Sequence, residues 1–371
     1  MASRSKNGRG STDLTEIRQR INEIDEQIQA LINERARFAQ EVGVAKGELA
    51  AAVDYYRPER EAEILRSVVE RNKGPLRNEE MLRLFREIMS ACLAQQEPLK
   101  VGFLGPEGTF TQTAVFKHFG HSVRALPFHT IDEVFQEVES GIADFGVVPI
   151  ENSTEGSVNN TLDMFLTSPL KITGEIELRI EQHLLGRMAG LESIERICAH
   201  EQSLAQCRGW LREYLPHVEL IGMSSNAAGA RRARDEAGTA AIGPEVAADV
   251  YDLRIMVNSI EDRSDNSTRF LVVGRKLLPA SGSDKTTLLV STSDTGGGAG
   301  VLHQLLKPLA EHNVVMTFIE SRPSRRKNWD YVFFIDIEGH ADESPVSDAL
   351  AILEKQSSLF RVLGAYPKAV G

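Results

Sequence analysis

The chain has 371 residues, of which 42% are apolar and 26% charged, and a formal net charge of −11. This size suits roughly two or three domains, and the negative charge argues against nucleic acid as a partner, because phosphate binding needs a continuous basic surface. With no apolar run of about 18 residues, no secretory signal and three cysteines without metal-ligand spacing, we expect a cytoplasmic protein that uses neither membrane nor metal.

The first predicted element is a long amphipathic helix. Its apolar residues alternate in spacings of three and four, which is typical of a helix packed against other helices. The apolar positions are Leu14, Ile17, Ile21, Ile24, Ile28 and Leu31. Asp13 with Glu16 forms a capping box and Lys46-Gly47 a stop, which predicts about 34 helical residues and a length of roughly 50 Å. Such a helix is too long for a monomeric core and favours a bundle.

This helix carries three cations, Arg18, Arg35 and Lys46. Arg35 and Lys46 are eleven residues apart, so they lie only about 20° apart around the axis and can bind one small ligand. Arg18 lies about 25 Å from Arg35 and about 100° around the helix. If Arg18 serves the same pocket, the simplest geometry is a two-fold dimer in which each helix lends this arginine to the other subunit. The alternative is that all three are solvated flank charges.

Two shorter helices follow, and then strands and helices alternate. Pro58 begins the second helix, which ends before Asn72, and Asn78 caps a third, which ends near Gln96. The predicted buried strands beyond Lys100 are 145–148, 196–199, 219–221, 240–242 and 269–273, with helices at 131–140 and 226–237. This pattern predicts an α/β unit whose length of about 175 residues suits two lobes around a ligand cleft.

A polar linker, residues 279–284, precedes the last predicted unit. Its predicted order is strand 286–292, helix 296–312, strands 314–321 and 331–338, helix 343–356 and strand 360–366. This βαββαβ order predicts helices on one antiparallel sheet. The pair His200-Glu201 has no second histidine at helical spacing, and the glycines at 296–298 are not followed by a phosphate-binding lysine, so neither a metal nor a cofactor is expected.

Several motifs resemble known families. Residues 13–97, with the three cations, Arg60-Glu61 and Gln96, resemble the all-helical class of chorismate mutase. The segments 105–110 (GPEGTF), 148–153 (VPIENS) and 266–270 (NSTRF) look like the signatures of prephenate dehydratase. In the tail, 300–302 (GVL) and 320–323 (ESRP) resemble the phenylalanine-binding ACT domain of the same enzymes. Together they are similar to the bifunctional chorismate mutase–prephenate dehydratase family over nearly the whole chain.

The resemblance implies an all-α mutase domain over 11–97, a two-lobed α/β dehydratase domain over 99–277 and an α+β (βαββαβ) ACT regulatory domain over 285–371. It also implies a homodimer or higher homo-oligomer, without cofactor, in L-phenylalanine biosynthesis. The enzyme would convert chorismate to prephenate and prephenate to phenylpyruvate, with phenylalanine as inhibitor. The alternatives are a dehydratase whose N-terminal helices serve only dimerisation, and a non-catalytic ligand sensor.

For the mutase site, the family pattern implies one cationic pocket around the chorismate dianion. Its residues are Arg35 and Arg18 of the partner subunit for the carboxylates, Lys46 and Gln96 for the ether oxygen, Glu61 for the ring hydroxyl, and Arg60 and Arg57 in the lining. Relatives can carry an aspartate where this chain has Arg57 and a serine where it has Cys92. The rearrangement needs no covalent catalysis, because it requires only a bound reactive conformer and stabilised charge on the ether oxygen.

For the dehydratase site, the family pattern assigns Thr268 to polarise or protonate the leaving hydroxyl and Arg269 to neutralise a nearby carboxylate or orient the network. The further substrate-binding residues are Glu151, Asn152, Ser153, Gln202, Ser203 and Phe270. On its own, Thr268 could also be a β-branched residue that starts a strand.

For the effector site, the resemblance implies a backbone and a charged turn around phenylalanine. Gly300, Val301 and Leu302 would bring a helix backbone close to the ligand, and relatives have alanine at the Val301 position. The segment Glu320, Ser321, Arg322 and Pro323 would place charged groups against the ammonium and carboxylate. The alternative is that Glu320 and Arg322 are ordinary turn residues.

Overall fold

The structure is a computed structural model, and it describes residues 14–46, 56–95, 97–292, 300–324 and 331–370. The N-terminal region consists of the helices α1 (Leu14–Lys46), α2 (Pro58–Arg71) and α3 (Asn78–Ala94). The predicted capping residue Asp13, the stop at Gly47 and the side chain of Lys46 lie outside the described part. The predicted Asn78 cap is wrong, because Arg77 is the N-cap residue and the Asn78 side chain accepts a hydrogen bond from Asn72.

The α/β region begins with a first lobe that alternates strands and helices. Its elements are β1 (Lys100–Leu104), α4 (Phe110–Phe119), β2 (Arg124–Phe128), α5 (Ile131–Ser140), β3 (Phe145–Asn152), β4 (Gly156–Ser157), α6 (Asn159–Phe165) and β5 (Lys171–Arg179). Helices α4 and α5 begin at threonine caps, Thr109 and Thr130, whose hydroxyls accept backbone N–H groups.

The second lobe follows, and the chain then returns to the first. The second-lobe elements are β6 (His183–Gly186), a 3-10 turn (Leu191–Ser193), β7 (Arg196–His200), α7 (Glu201–Gln206), α8 (Arg208–Tyr214), β8 (Glu219–Met223), α9 (Asn226–Asp235), β9 (Thr239–Gly243), α10 (Glu245–Tyr251) and β10 (Arg254–Val257). The returning strand is β11 (Ser267–Gly274). The strand orders are β2-β1-β3-β11-β5, with β4 on β3, and β10-β6-β9-β7-β8. Strand β11 lies antiparallel between β3 and β5 and therefore links both chain passages of the first lobe.

The last unit has the predicted βαββαβ order. Its elements are β12 (Asp284–Thr292), α11 (Val301–Glu311), β13 (Met316–Pro323), β14 (Tyr331–Glu338), α12 (Val346–Gln356) and β15 (Ser357–Pro367). The antiparallel strand order is β13-β14-β12-β15. The predicted fold class, helical, α/β and α+β in succession, is confirmed.

The last unit shares a hydrophobic core with the first lobe. Ile172 and Leu271 of the first lobe belong to the same buried cluster as Phe334 and Leu363 of the last sheet. Gly364 of β15 lies so close to the Ile172 carbonyl that a Cβ there would clash. The two sheets are therefore packed as one body through β5 and β15.

Candidate active sites

The helical region brings together three charged side chains. Glu61 on α2 is only partly exposed, and burial raises its pKa to about 7, while the nearby guanidinium groups of Arg86 and Arg35 lower it. Arg86 of α3 had no predicted role. The signal that could have found it is its position between Leu82 and Met89, because a cation on the buried face of a helix is unusual.

Of the other predicted mutase residues that the structure describes, Arg18, Arg57 and Arg60 do not face Glu61 within the single chain. Arg18 is exposed on the first half of α1. The Arg60 guanidinium lies 2.8 Å from the Glu63 carboxylate, and Arg57 forms an ion pair with Glu59. Gln96 and the Lys46 side chain lie outside the described residues. Cys92 is buried.

The ends of β3 and β11 form a hydrogen-bond network. The Asn152 Nδ2 atom donates to Thr268 Oγ1 at 2.8 Å and to Asn266 Oδ1 at 3.1 Å. Ser153 Oγ also donates to Asn266 Oδ1 at 3.4 Å. Asn266 is 3% exposed and Thr268 is 9% exposed. Because Thr268 Oγ1 accepts from the amide, its own proton remains available for another acceptor.

A second group of amides and hydroxyls lies in the other lobe. Ser203 Oγ, at the start of α7, accepts from Gln182 Nε2 at 3.1 Å and from Asn226 Nδ2 at 2.8 Å. The Gln202 backbone N–H donates to the His200 ring at 3.3 Å. Gln182 and Asn226 were not predicted as site residues. Gln182 is 1% exposed, so a polar residue directly before a buried strand was the available signal.

Both groups adjoin the two segments that connect the lobes. The Ile180 N–H donates to the Asn266 carbonyl at 2.9 Å, and the Ile260 N–H donates to the Gln182 carbonyl at 2.7 Å. Tyr251 Oη of the second lobe also donates to the Glu107 carbonyl of the first at 2.9 Å. The network and Ser203 therefore lie near carboxyl ends of parallel strands, where α/β folds bind ligands.

Strand alternation separates Arg269 from Thr268. Thr268 is paired with Asn152, whereas Arg269 is paired with Glu151, one residue along each strand. The Arg269 guanidinium lies 3.0 Å from Glu175 and 2.6 Å from Asp336 of β14. Phe270, which was assigned to substrate binding, is 2% exposed and packs in the core of the first lobe.

The predicted effector residues divide between two faces of β13. Glu320 accepts from Ser157 Oγ at 3.0 Å. The Arg322 guanidinium lies 2.9 Å from Asp163 and donates to Asn159 Oδ1 at 2.8 Å. The alternating residues Ser321 and Pro323 are exposed.

The start of α11 holds the remaining predicted effector residues. Gly300 is its N-cap residue and has a φ of 94°, which a glycine adopts without strain. Leu302 is 40% exposed, and the side chain of Val301 lies outside the described part. In the part of the chain that the structure describes, no helix is long and apolar enough to cross a membrane, and no three acidic, histidine or cysteine side chains form a metal-binding group.

The helical unit, the two-lobed unit with its polar networks, and the small sheet docked on it define a multidomain enzyme with an attached regulatory-type domain. Residues 17–97, 101–277 and 298–355 match the family models for chorismate mutase type II, prephenate dehydratase and the ACT domain, respectively. A bifunctional chorismate mutase/prephenate dehydratase from Pseudomonas aeruginosa is 52% identical over 362 residues, which are 96% of this chain and 98% of that protein.

Two solved structures have a similar fold. Prephenate dehydratase from Arthrobacter aurescens, in complex with L-Phe, is 37% identical with a TM-score of 0.66 and covers 72% of this chain and 90% of its own. GqqA, described as a novel type of quorum-quenching acylase, is 28% identical with a TM-score of 0.67. The match covers 73% of this chain and 98% of GqqA. Fold alone therefore does not define the activity.

The family models and the full-length relative do define it: this chain belongs to the bifunctional chorismate mutase/prephenate dehydratases. It rearranges chorismate to prephenate and converts prephenate onward in its dehydratase domain, and it carries an ACT regulatory domain. The predicted bifunctional enzyme is confirmed over the alternatives of a dehydratase alone and a ligand sensor.

Proposed function

We propose that the mutase site forms between two subunits that pair through α1. Arg35 and Arg18 of the partner subunit bind the chorismate carboxylates, and Glu61 accepts from the ring hydroxyl. Lys46 and Gln96 donate to the ether oxygen. The observation that supports this is the exposed apolar seam of α1, whose six members from Leu14 to Leu31 are 41–69% exposed. Such a seam needs a covering surface, and a second α1 has the matching pattern.

Mixing two inactive variants tests the shared site. Arg18→Ala and Arg35→Ala homodimers should both lose mutase activity. Mixed dimers should regain it, because one of their two sites carries both arginines. Separately purified variants that are never mixed serve as the control. If mixing restores nothing although mixed dimers form, the crossed arrangement is wrong.

In the dehydratase site, we propose that Thr268 donates its hydroxyl proton toward the leaving hydroxyl of prephenate. The C–O bond breaks as carbon dioxide leaves and the ring becomes aromatic, and the departing hydroxide takes the Thr268 proton to become water. The alkoxide left on Thr268, which accepts a hydrogen bond from Asn152, then takes a proton from solvent. Threonine is a poor acid, and Asn152 compensates by holding Oγ1 as an acceptor with the proton directed outward. Ser153, Gln202 and Ser203 supply polar contacts to substrate.

An isosteric variant tests this network. Asn152→Asp replaces the donating amide by a carboxylate that cannot donate to Thr268, and we expect kcat for prephenate to fall about 10- to 100-fold. Thr268→Ala should lose at least as much. Asn78→Asp, at the exposed start of α3, is the matched control and should leave dehydratase turnover unchanged. Normal turnover in Thr268→Ala would refute the proposed role.

We propose phenylalanine as the effector of the ACT domain, bound by the segments Gly300–Leu302 and Glu320–Pro323. The L-Phe complex of the 37% identical dehydratase supports the ligand. Calorimetric titration with phenylalanine should give saturable binding that Arg322→Ala weakens, because the carboxylate loses its cation. Binding of equal strength in that variant would exclude Arg322 from the effector site.

A further inference from the structure

The buried charges between β11 and the ACT sheet form one continuous cluster. Arg269 contacts Glu175 at 3.0 Å and Asp336 at 2.6 Å, and its Nη2 atom donates to Tyr366 Oη at 3.2 Å. Lys285 of β12 lies 2.7 Å from Glu175. The four charged side chains are 3–16% exposed, so their charges are matched within a nearly dry interface.

The ACT domain supplies half of this cluster and fixes its own half by further hydrogen bonds. Thr287 Oγ1 donates to Asp336 Oδ1 at 2.6 Å and lies 2.9 Å from Tyr366 Oη. Asp336, Thr287 and Tyr366 therefore lie on three neighbouring strands of the ACT sheet, β14, β12 and β15. Within this cluster, Arg269 is the side chain of β11 that contacts the ACT sheet, through Asp336 and Tyr366.

Arg269 is the residue after Thr268, at a point where the pairing of β11 with β3 is irregular. Arg269 pairs with Glu151 and Phe270 pairs with Pro149, so the extra residue of this bulge lies on β3, the strand that carries Asn152. On its other side, β11 pairs regularly with β5 from Ser267 to Val272. Bulges increase local twist and re-aim side chains. Arg269 is attached to the ACT sheet directly beside Thr268 and opposite this bulge.

We propose that Arg269 is a positioning residue of the dehydratase reaction, which fixes Thr268 by anchoring β11 to Asp336 and Tyr366 of the ACT domain. The inference rests on the proposed role of Thr268. Of the two roles expected for Arg269, neutralising a nearby carboxylate and orienting the network, it takes the second and names the partners. It also makes two ACT side chains part of what sets dehydratase turnover, although neither contacts the reacting atoms.

Steady-state kinetics with prephenate test the proposal in the full-length enzyme. Arg269→Gln should lower kcat about tenfold, the effect of losing one charged hydrogen bond, with little change in KM. Arg269→Lys keeps the positive charge but lacks the planar guanidinium that contacts several partners at once, so its kcat should lie between those of the wild type and Arg269→Gln. Asp336→Asn and Tyr366→Phe are nearly isosteric and remove the ACT-domain partners of Arg269, so both should also lower kcat. Chorismate turnover, measured in the same samples, should not change.

Arg361 offers a matched control because it also joins the ACT domain to the first lobe. Its guanidinium donates to the carbonyls of Phe165, Leu166 and Ser168, well away from Thr268 in sequence and pairing. Arg361→Gln should lower the melting temperature while dehydratase kcat stays unchanged. An equal loss of kcat in this control would mean that any damage to the interface suffices, and the proposal would fail.

A double-mutant cycle gives the decisive readout. If Arg269 acts through Thr268, the loss in Thr268→Ser/Arg269→Gln should be smaller than the product of the two single losses. Multiplicative losses, an increase in KM alone, or normal kcat in both Arg269→Gln and Asp336→Asn would overturn the inference. Loss of turnover in Thr268→Ala with normal turnover in Arg269→Gln refutes the inference alone, whereas an active Thr268→Ala refutes both.

Discussion

The carboxylate of Glu61 is a good acceptor for a substrate hydroxyl only while it is ionised. Burial raises its pKa to about 7, and Arg86 and Arg35 oppose that rise. We therefore expect mutase kcat/KM to increase with pH between about 6 and 8, because this parameter reports the free enzyme. Glu61→Gln cannot titrate, so its lower activity should be independent of pH. A flat profile for the wild-type enzyme would contradict this role.

The same raised pKa affects stability with a defined sign. Since the folded-state pKa of Glu61 lies above the ordinary value of 4.5, its contribution to stability is complete at low pH and is lost as the pH rises through about 7. In urea unfolding, the free energy of unfolding of Glu61→Gln minus that of the wild type should therefore be larger at pH 8 than at pH 5, roughly one pH unit or more on either side of this pKa.

At the level of single residues, the sequence motifs predicted which residues lie close together better than they predicted the contacts among them. Asn152 and Thr268 do share a network, but no spacing rule showed that one donates to the other. Arg269 was assigned to the same site as a cation that could neutralise a nearby carboxylate or orient the network. Side chains alternate along a strand, and this alternation places its guanidinium with Glu175 and Asp336 instead.

Helix α1 is the element whose exposed surface has the clearest expected partner. Ile21 is 51% exposed within the apolar seam, and Gln19 lies on the opposite side of the helix. Ile21→Lys should dissociate the dimer and reduce mutase activity, because a charge cannot be buried in the seam without a partner. Light scattering coupled to size-exclusion chromatography measures the change. Gln19→Lys adds the same charge and should leave both dimer and activity intact.

Arg322, near the end of β13, already has partners with which an effector would compete. Arg322 is already paired with Asp163 and Asn159 of the first lobe, so an effector carboxylate must share or replace these contacts. Asp163→Asn should therefore strengthen phenylalanine inhibition several-fold, within the roughly 5- to 150-fold range of allosteric coupling. Asp132→Asn, an exposed carboxylate on α5, is the control. Weaker inhibition in Asp163→Asn would mean that this pair transmits the signal instead of competing with it.

Periodicity predicted most elements because each has an apolar face. Helix α1 and the β14 strand at 331–338 were predicted within one or two residues, although the apolar seam of α1 is exposed in the single chain. Helix ends were less predictable, as at Asn78, since a cap depends on local hydrogen bonds that neighbouring residues can provide instead.

On the scale of the whole molecule, the contacts between units could not be predicted from the sequence. Ile172 and Leu363 share a core although they are far apart in the chain, and the hydrophobic pattern of neither strand indicates which strand it packs against. The same holds for Arg66, whose guanidinium donates to the Ser281 carbonyl across the boundary between the helical unit and the linker. Such pairings depend on three-dimensional complementarity and not on the local period.

The segment after β15 connects the ACT domain physically to the mutase helices. The Val370 carbonyl accepts from Arg86, and its side chain packs on the cluster of Leu65, Leu82 and Met89. Because Arg86 also faces Glu61, the segment holds in place a cation beside a predicted mutase residue. The segment also contacts the ACT domain, through the Lys368–Glu338 ion pair at 2.8 Å.

Deleting residues 369–371 tests this connection. The variant loses one charged hydrogen bond and part of an apolar contact, so we expect about 1–2 kcal/mol lower stability of the helical region in urea unfolding. Mutase KM should rise, because Arg86 becomes free to turn away from Glu61, while prephenate turnover persists because Arg269 keeps its partners. Lys368→Ala removes only an exposed ion pair and should cost well under about 1 kcal/mol. Unchanged mutase kinetics in the deletion variant would show that Arg86 is held by Glu61 alone, and the ACT domain would then have no contact through which it could influence the first reaction by this route.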